Sequence, residues 1–219
     1  MPTQFLIDRF IKNKNLNALI WQDQRFSYGW LYEEIKNVNE LLTQHKVSQG
    51  KVVLLEGDFS PKGVSIFLAL IQKKCIVVPL TSSLDKKTKN DFIKISQPEY
   101  IISISVEDKV SLKNTNSNGV SNTLYNLLKE KSKPGLVLFS SGSTGKSKAA
   151  VHDFSYLLKK FKVTRHKLCT LSFLLYDHIG GINTLLYTLS NGGCMVTVQK
   201  RNPEQILSAI EKYKVELLP

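Results

Sequence analysis

Residues 136–148 read Leu136-Val137-Leu138-Phe139-Ser140-Ser141-Gly142-Ser143-Thr144-Gly145-Lys146-Ser147-Lys148. Four apolar residues without a polar interruption predict a strand buried on both faces. The nine residues after Phe139 are chemically unlike a strand. Two glycines permit a tight turn and let backbone N–H groups approach an anion, four hydroxyls add donors, and Lys148 adds positive charge. A flexible serine-rich linker has no need to succeed a buried strand or to end in lysines. The stretch therefore reads as a cradle for a polyphosphate.

Outward from this stretch, strand and helix patterns alternate. Upstream, Ser27 to Gln44 places Leu31, Ile35, Val38 and Leu42 at helical spacing. Lys51 to Leu55 predicts a strand that ends in Gly57-Asp58. Ser60-Pro61 supplies a cap and first helical position for a helix with Val64, Phe67, Leu68 and Ile71 on one face. Next come a strand at Ile76 to Pro79, a helix at Asp85 to Ile95 and a strand at Tyr100 to Ile102. Residues 113–122 are polar and turn-forming and predict a variable surface loop. A short helix at Leu124 to Lys131 then leads into the decisive strand.

Downstream, Asp153 is placed to cap a helix from Phe154 to Lys162. Strands are predicted at Leu168 to Phe173, Met195 to Val198 and Val215 to Leu218. Between them lie helices at Ile182 to Leu189, closed by Gly192-Gly193, and at Glu204 to Tyr213. Continuous apolar strands separated by amphipathic helices predict an α/β fold, a mainly parallel sheet layered with helices.

Composition excludes several other classes. With 42% hydrophobic and 22% charged residues the chain is neither disordered nor fibrous. Its first twenty residues carry Asp8, Arg9, Lys12 and Lys14 among the apolar positions, so they hold no signal-peptide core. No apolar run approaches the roughly 20 residues that span a bilayer. A cytoplasmic protein is expected. Cys75, Cys169 and Cys194 lack the close pairing of a zinc or redox motif and read as small apolar side chains. The net charge of +12 rests on 26 lysines and 4 arginines, with no basic run longer than two. Base reading and bidentate phosphate contacts favour arginine, so no nucleic-acid partner is predicted.

Two phosphate loops compete for residues 140–148. The Walker A pattern finds its end in Gly145-Lys146-Ser147, but its first glycine would fall at Ser140. It also requires a helix at once after Lys146 and an acidic strand end downstream. A P-loop phosphotransferase stays as an alternative. The other candidate is the signature of the adenylate-forming superfamily, which includes acyl-CoA synthetases and the adenylation domains of nonribosomal peptide synthetases. Val137 to Lys148 resembles it, with Ser147 where proline is commonest, and Ala149-Ala150-Val151-His152 is similar to the family's next strand and its His.

The resemblance extends along the chain. Ser27-Tyr28-Gly29-Trp30-Leu31 is similar to the opening of the family's first helix, and Val47 to Leu55 to its step into a strand. Phe67 to Leu80 is similar to a helix that leads to a Val-Pro-Leu strand end, with Lys74 where glycine is usual. Tyr176-Asp177-His178-Ile179-Gly180-Gly181 falls where the family has an aromatic residue, then His or Asp, then glycine.

The resemblance implies the N-terminal subdomain region of that fold, truncated: 1–219 as a partial N-terminal domain, with the rest of it and a C-terminal domain absent. It implies activation of a carboxylic acid by ATP and Mg²⁺ to an acyl-adenylate, with coenzyme A or a carrier-protein thiol as acceptor, as in acyl-CoA or aryl-CoA synthetases, the former with a place in fatty acid metabolism. Ser140, Ser141, Gly142, Ser143, Thr144, Gly145 and Lys148 are implied on ATP, with Lys146 a second choice like Ser140. Thr144 and Lys148 are implied in catalysis, and Thr144 on the metal. Tyr176, Asp177, His178 and Gly180 are implied in the acid pocket. Asp177 takes the position usually held by His in acyl-CoA synthetases and by Asp in amino-acid-activating domains, where it could pair with a substrate amine, although Asp177 capping the next helix with His178 a buried histidine, and Gly180-Gly181 packing, are equally open. The chain alone is expected to bind ATP weakly without turnover, and a non-catalytic nucleotide-binding or scaffold member is the other reading.

Overall fold

A computed structural model describes residues 2–115, 122–141 and 147–219. The expected positions Gly142 to Lys146, and most of the expected loop at 113–122, lie outside the described residues.

The strands are shared between two sheets. In the larger, β3 (Val52–Glu56), β4 (Ile76–Leu80), β5 (Tyr100–Ile104) and β7 (Gly135–Ser141) run parallel in the order β5-β3-β4-β7. Antiparallel strands close both edges: β6 (Val110–Asn114) on β5 and β8 (Ser147–Asp153) on β7. In the smaller, β1 (Asn17–Trp21), β10 (Cys194–Thr197) and β9 (Cys169–Ser172) are parallel, and β2 (Gln24–Ser27) is antiparallel to β1. The expected mainly parallel character holds in each. The expected strand at Val215 to Leu218 is a single parallel bridge, Thr170 to Leu217.

Side-chain alternation divides the interior into three cores. Val53, Leu55, Leu136 and Leu138 face inward with Leu19 and Met195 of the smaller sheet. The space between the sheets is filled by α1 (Gln4–Lys12), α2 (Tyr28–Gln44), α3 (Pro61–Gln72), α6 (Phe154–Lys159) and α7 (Ile179–Ser190). Val52, Leu54, Val78 and Val137 face the other way, toward Phe92 of α4 (Lys86–Ser96) and Tyr125 and Leu128 of α5 (Thr123–Glu130). Ile20, Leu171 and Val196 meet Ala209 of α8 (Pro203–Tyr213) on the outer face of the smaller sheet. α3 explains its own depth: its run from Pro61 through Ile71 is buried all round except Lys62, beyond the single face the spacing predicts.

Helix starts obey the expected chemistry. Ser27, Ser60, Asp85, Asn122, Asp153 and Asn202 each accept a hydrogen bond from a first-turn N–H. Helix ends do not. After α3, Cys75 N–H donates to Leu70 C=O at 2.9 Å and Lys74 N–H to Ile71 C=O at 3.0 Å, a Schellman pair with Lys74 left-handed at φ 60°. The lysine that replaces the family's usual glycine thus keeps the glycine conformation. A side chain there costs about 1 kcal/mol, so Lys74→Gly is expected to raise the unfolding free energy by about that amount in urea titration, with an unchanged denaturant slope.

Candidate active site

β7 and β8 pair over seven residues, from Gly135 opposite Asp153 to Ser141 opposite Ser147. They form a two-stranded ribbon whose last pair is Ser141 with Ser147. The ribbon is anchored from below, where Phe139 stacks on Phe92 of α4 with centroids 3.8 Å apart and planes 2° from parallel. Alternation puts Ser140 on the opposite face, in line with Leu136 and Leu138, which belong to the core between the sheets. Lys148 is the cross-strand partner of Ser140 and is exposed. A hydroxyl and an ammonium thus belong to one cross-strand pair near the ends of β7 and β8.

The segment before α7 meets Ser140, and not Lys148, across a cavity. A cavity of about 250 Å³ is lined by Leu80, Phe92, Phe139 and Ser140 on one side and by Asp177 and His178 on the other. In open α/β sheets, ligands bind beyond the carboxyl ends of parallel strands. Ser140 lies in the last turn of pleat of β7, and Asp177 comes after β9.

Each residue of the 176–181 segment has a distinct placement. Tyr176 is fully buried, edge-on to Phe59 at 4.8 Å and stacked with Phe67 at 5.9 Å, and its hydroxyl donates to the Asp58 carbonyl at 3.3 Å. Its ring is directed into the core, where it pins the backbone that carries Asp177. The helix begins at Ile179 with His178 as N-cap and no side-chain cap bond, so Asp177 does not cap it. His178 is exposed, its Nε2 3.9 Å from Asp177 Oδ2. Asp177 Oδ1 is buried and has no hydrogen-bond partner. A Cβ on Gly180 would meet Leu174 Cδ1 at 2.7 Å, whereas one on Gly181 would meet the Leu175 carbonyl oxygen at 1.9 Å.

Burial raises the Asp177 carboxyl above its usual 3.8; Asp58 adds to the rise, while His178 and Arg201 oppose it. Asp58 Oδ1 and Arg201 Nε are likewise buried without a hydrogen-bond partner. Sequence reading did not single out Asp58 or Arg201. The available signal was position, since Asp58 lies just past the end of β3 and Arg201 just past β10. Glu56, at the end of β3, is already engaged by Lys89 and by Ser103 Oγ at 2.9 Å.

A raised carboxyl pKa means that ionised Asp177 opposes folding, because the proton is held more tightly in the folded state. The opposition is absent below the ordinary value of 3.8 and full above the folded-state value. Asp177→Asn is therefore expected to be more stable than the unsubstituted protein at pH 7. Thermal melting from pH 7 down to pH 3 should show the two curves converging.

The Walker-type alternative fares poorly against this geometry. A helix should begin directly after Lys146, yet Ser147–Asp153 is a strand. Asp153, at its end, accepts from Ser155 N–H at 2.9 Å as the cap of α6. Neither β9 nor β10 ends in an acid.

A family model described as AMP-binding enzyme matches residues 8–219. The chain belongs to the AMP-binding enzyme family. Among solved structures, this AMP-binding family chain is similar over its whole length to the N-terminal subdomain of NpsA from Klebsiella oxytoca in complex with 3-hydroxyanthranilyl-AMSN, with a TM-score of 0.80 and 19% identity. It is also similar, over 98% of its length, to the o-succinylbenzoate CoA synthetase MenE of Bacillus subtilis in complex with the acyl-adenylate OSB-AMP, with a TM-score of 0.74 and 18% identity. At these identities the likeness is one of fold. Among sequences, it is 26% identical over 210 residues to the hybrid PKS-NRPS synthetase xenE of Xenoacremonium sinensis, and 21% identical over 231 aligned residues to bacitracin synthase 1 of Bacillus licheniformis. Those alignments cover 87% and 96% of the AMP-binding chain but 5% and 4% of the synthetases, and it spans 58% of the NpsA subdomain. No helix among the described residues is long and apolar enough to cross a membrane.

Proposed function

We propose that the protein to which these 219 residues belong activates a small carboxylic acid with ATP, giving an acyl-adenylate and pyrophosphate. The observation that carries this reading is the shared cavity: Ser140, at the base of the glycine and hydroxyl loop, and Asp177 line one space of about 250 Å³. A phosphate cradle and an acid pocket must adjoin if a carboxylate oxygen is to reach an α-phosphorus. In that step one P–O bond forms and the bond to the bridging oxygen breaks, so the electron pair leaves with pyrophosphate. Positioning and charge neutralisation supply the catalysis.

Ser140, Ser141, Gly142, Ser143, Thr144, Gly145 and Lys148 are assigned to the β- and γ-phosphates, with Lys148 balancing charge on the departing pyrophosphate. The donor set fits a metal-bound triphosphate: hydroxyls and a cation at the strand ends, with Thr144 as the metal-side hydroxyl. Mg²⁺ supplies further neutralisation when bound. Tyr176 holds the segment, Asp177 and Gly180 border the acid, and His178 stands at the mouth. Asp177 Oδ1, buried and unpaired, suits a substrate ammonium or amino group. The cavity is of the size of one ring or a compact side chain, which favours an amino or aryl acid over a long fatty acid.

The acceptor is a thiol, of a carrier protein or of coenzyme A, and the location is cytoplasmic. These 219 residues are a partial N-terminal domain, binding ATP weakly and not turning over alone. The test is exchange of labelled pyrophosphate into ATP by the full-length protein and by the 219-residue chain, across amino, aryl and fatty acids. Exchange by the full-length protein alone, dependent on a small acid, is expected. ADP formation without exchange for any acid would overturn the reading.

A further inference from the structure

A second cavity, away from the candidate active site, lies where the segment after α6 crosses α7. It has a volume of about 210 Å³ and is walled by Phe161, Val163 and Tyr187, with Asn183 in its lining and Lys160 and Arg165 at its edge. Three features set it apart from an ordinary surface hollow.

The first is charge. From residue 154 to residue 203 there are seven Lys or Arg residues and one acid, Asp177, which belongs to the other cavity. Five of the cations, Lys159, Lys160, Lys162, Arg165 and Lys167, fall within nine residues beside the hollow and are exposed. The second is rigidity. The Arg9 guanidinium donates to the carbonyls of Phe161 at 2.7 Å, Lys162 at 2.5 Å and Ser190 at 2.6 Å, and to Thr164 Oγ1 at 3.2 Å. Arg165 N–H donates to Asn191 Oδ1 at 2.5 Å. A segment that served only to carry solvated lysines has no need of four such ties, at Phe161, Lys162, Thr164 and Arg165; fixed in place, it binds without a large ordering cost. The third is an open valence. Asn183 Oδ1 is buried and has no donor, and Val163 is 63% exposed at the rim.

We propose that this face docks an acidic segment of a partner protein, one apolar side chain of which enters the hollow. The carboxylates meet the five cations, the inserted side chain covers Phe161, Val163 and Tyr187, and a backbone N–H of the partner satisfies Asn183. The alternatives fit less well. Phosphodiester chains match the charge, but bidentate phosphate contacts favour arginine, and only Arg165 of the five cations is one. A lipid surface offers a plane, where the protein offers a half-enclosed space of side-chain size. The inference concerns a surface separate from the ATP and acid site and stands independently of it.

The test is fluorescence anisotropy with the 219-residue chain and a labelled peptide of sequence Glu-Asp-Trp-Glu-Asp. Saturable binding is expected, at least tenfold weaker when the peptide's Trp is replaced by Ala, and weaker again between 50 and 300 mM salt. Arg165→Glu and Lys160→Glu, both of exposed side chains, are each expected to weaken it at least tenfold with an unchanged melting temperature. Val163→Asp is expected to do the same while leaving the rest of the charge set in place. The proposal is overturned if no peptide binding appears, if these variants bind as the unsubstituted chain does, or if oligouridine or phosphatidylserine vesicles bind tighter than the peptide in a manner that Arg165→Glu removes.

Discussion

Gly181→Ala is expected to lower the unfolding free energy by about 3 kcal/mol or more, a drop of roughly 10 °C in melting temperature for a domain of this size. The reason is what a Cβ would meet. At Gly181 it would lie 1.9 Å from the Leu175 carbonyl oxygen, 2.5 Å from its carbon and 2.7 Å from the Leu174 carbonyl oxygen. These are backbone atoms of the turn that delivers Tyr176, and that turn is held by His178 N–H on the Leu175 carbonyl at 3.1 Å. Neither side can rotate away, so α7 must shift off the turn and Tyr176 must leave its place between Phe59 and Phe67. The neighbouring glycine is the control. At Gly180 the obstacle is the Cδ1 tip of Leu174, which another rotamer can move. Gly180→Ala is therefore expected to cost under about 1 kcal/mol. Melting temperatures of the two variants separate the packing reading of this glycine pair from a purely substrate-facing one. Equal and small losses would remove Gly181 from the packing argument.

The contrast between helix starts and helix ends shows which parts of the fold the sequence carries openly. Starts are written in side chains: Ser60 before Pro61 and Asp153 before Phe154 cap as read, and Ser27 and Asp85, read only as the first residues of their helices, cap as well. Ends are written in backbone conformation. Lys46, Lys74 and Ser132 take left-handed φ values of 59°, 60° and 50° after α2, α3 and α5, in positions where glycine would have been a visible signal. The same concealment hid the β1–β2 hairpin. Its turn, Gln22-Asp23, has φ of 49° and 64°, a left-handed pair usually built from Asn-Gly. β6 was missed for another reason: on this short edge strand only Val110 and Leu112, half-buried against the core, alternate with exposed Ser111 and Lys113, and two apolar residues are too few to mark a strand. The division into two sheets arises from pairings between residues 19 and 195, which local pattern does not encode.

The candidate site follows the same division. Ser140 and Lys148 were singled out because loop chemistry is local, and Asp177 and His178 because they stand beside a glycine pair. Asp58 and Arg201 were not singled out. They are 119 and 24 residues from Asp177 in sequence and join it only because β3, β9 and β10 all point their carboxyl ends into one region. Asp58, Asp177 and Arg201 each hold a buried polar atom without a partner, and Asp58 and Arg201 act electrostatically on the Asp177 carboxyl.

Lys148→Ala is expected to reduce carboxylate-dependent pyrophosphate exchange by the full-length protein about 10²- to 10³-fold, the loss typical of removing one preorganised group from a developing charge. The fold should not register the change. Lys148 is exposed on an edge strand, and its backbone ladder with Ser140 needs no side chain. A drop in exchange at constant melting temperature therefore isolates the ammonium from the scaffold. Lys148→Arg sharpens the test, since it keeps the charge but replaces a compact ammonium by a planar fork. If Lys148 neutralises charge on the departing pyrophosphate, Lys148→Arg should recover a large part of the rate; if it positions one oxygen as a point donor, recovery should be small while ATP affinity stays. Exchange within threefold of the unsubstituted protein would instead remove Lys148 from the machinery and leave Lys146 as the cation of the loop.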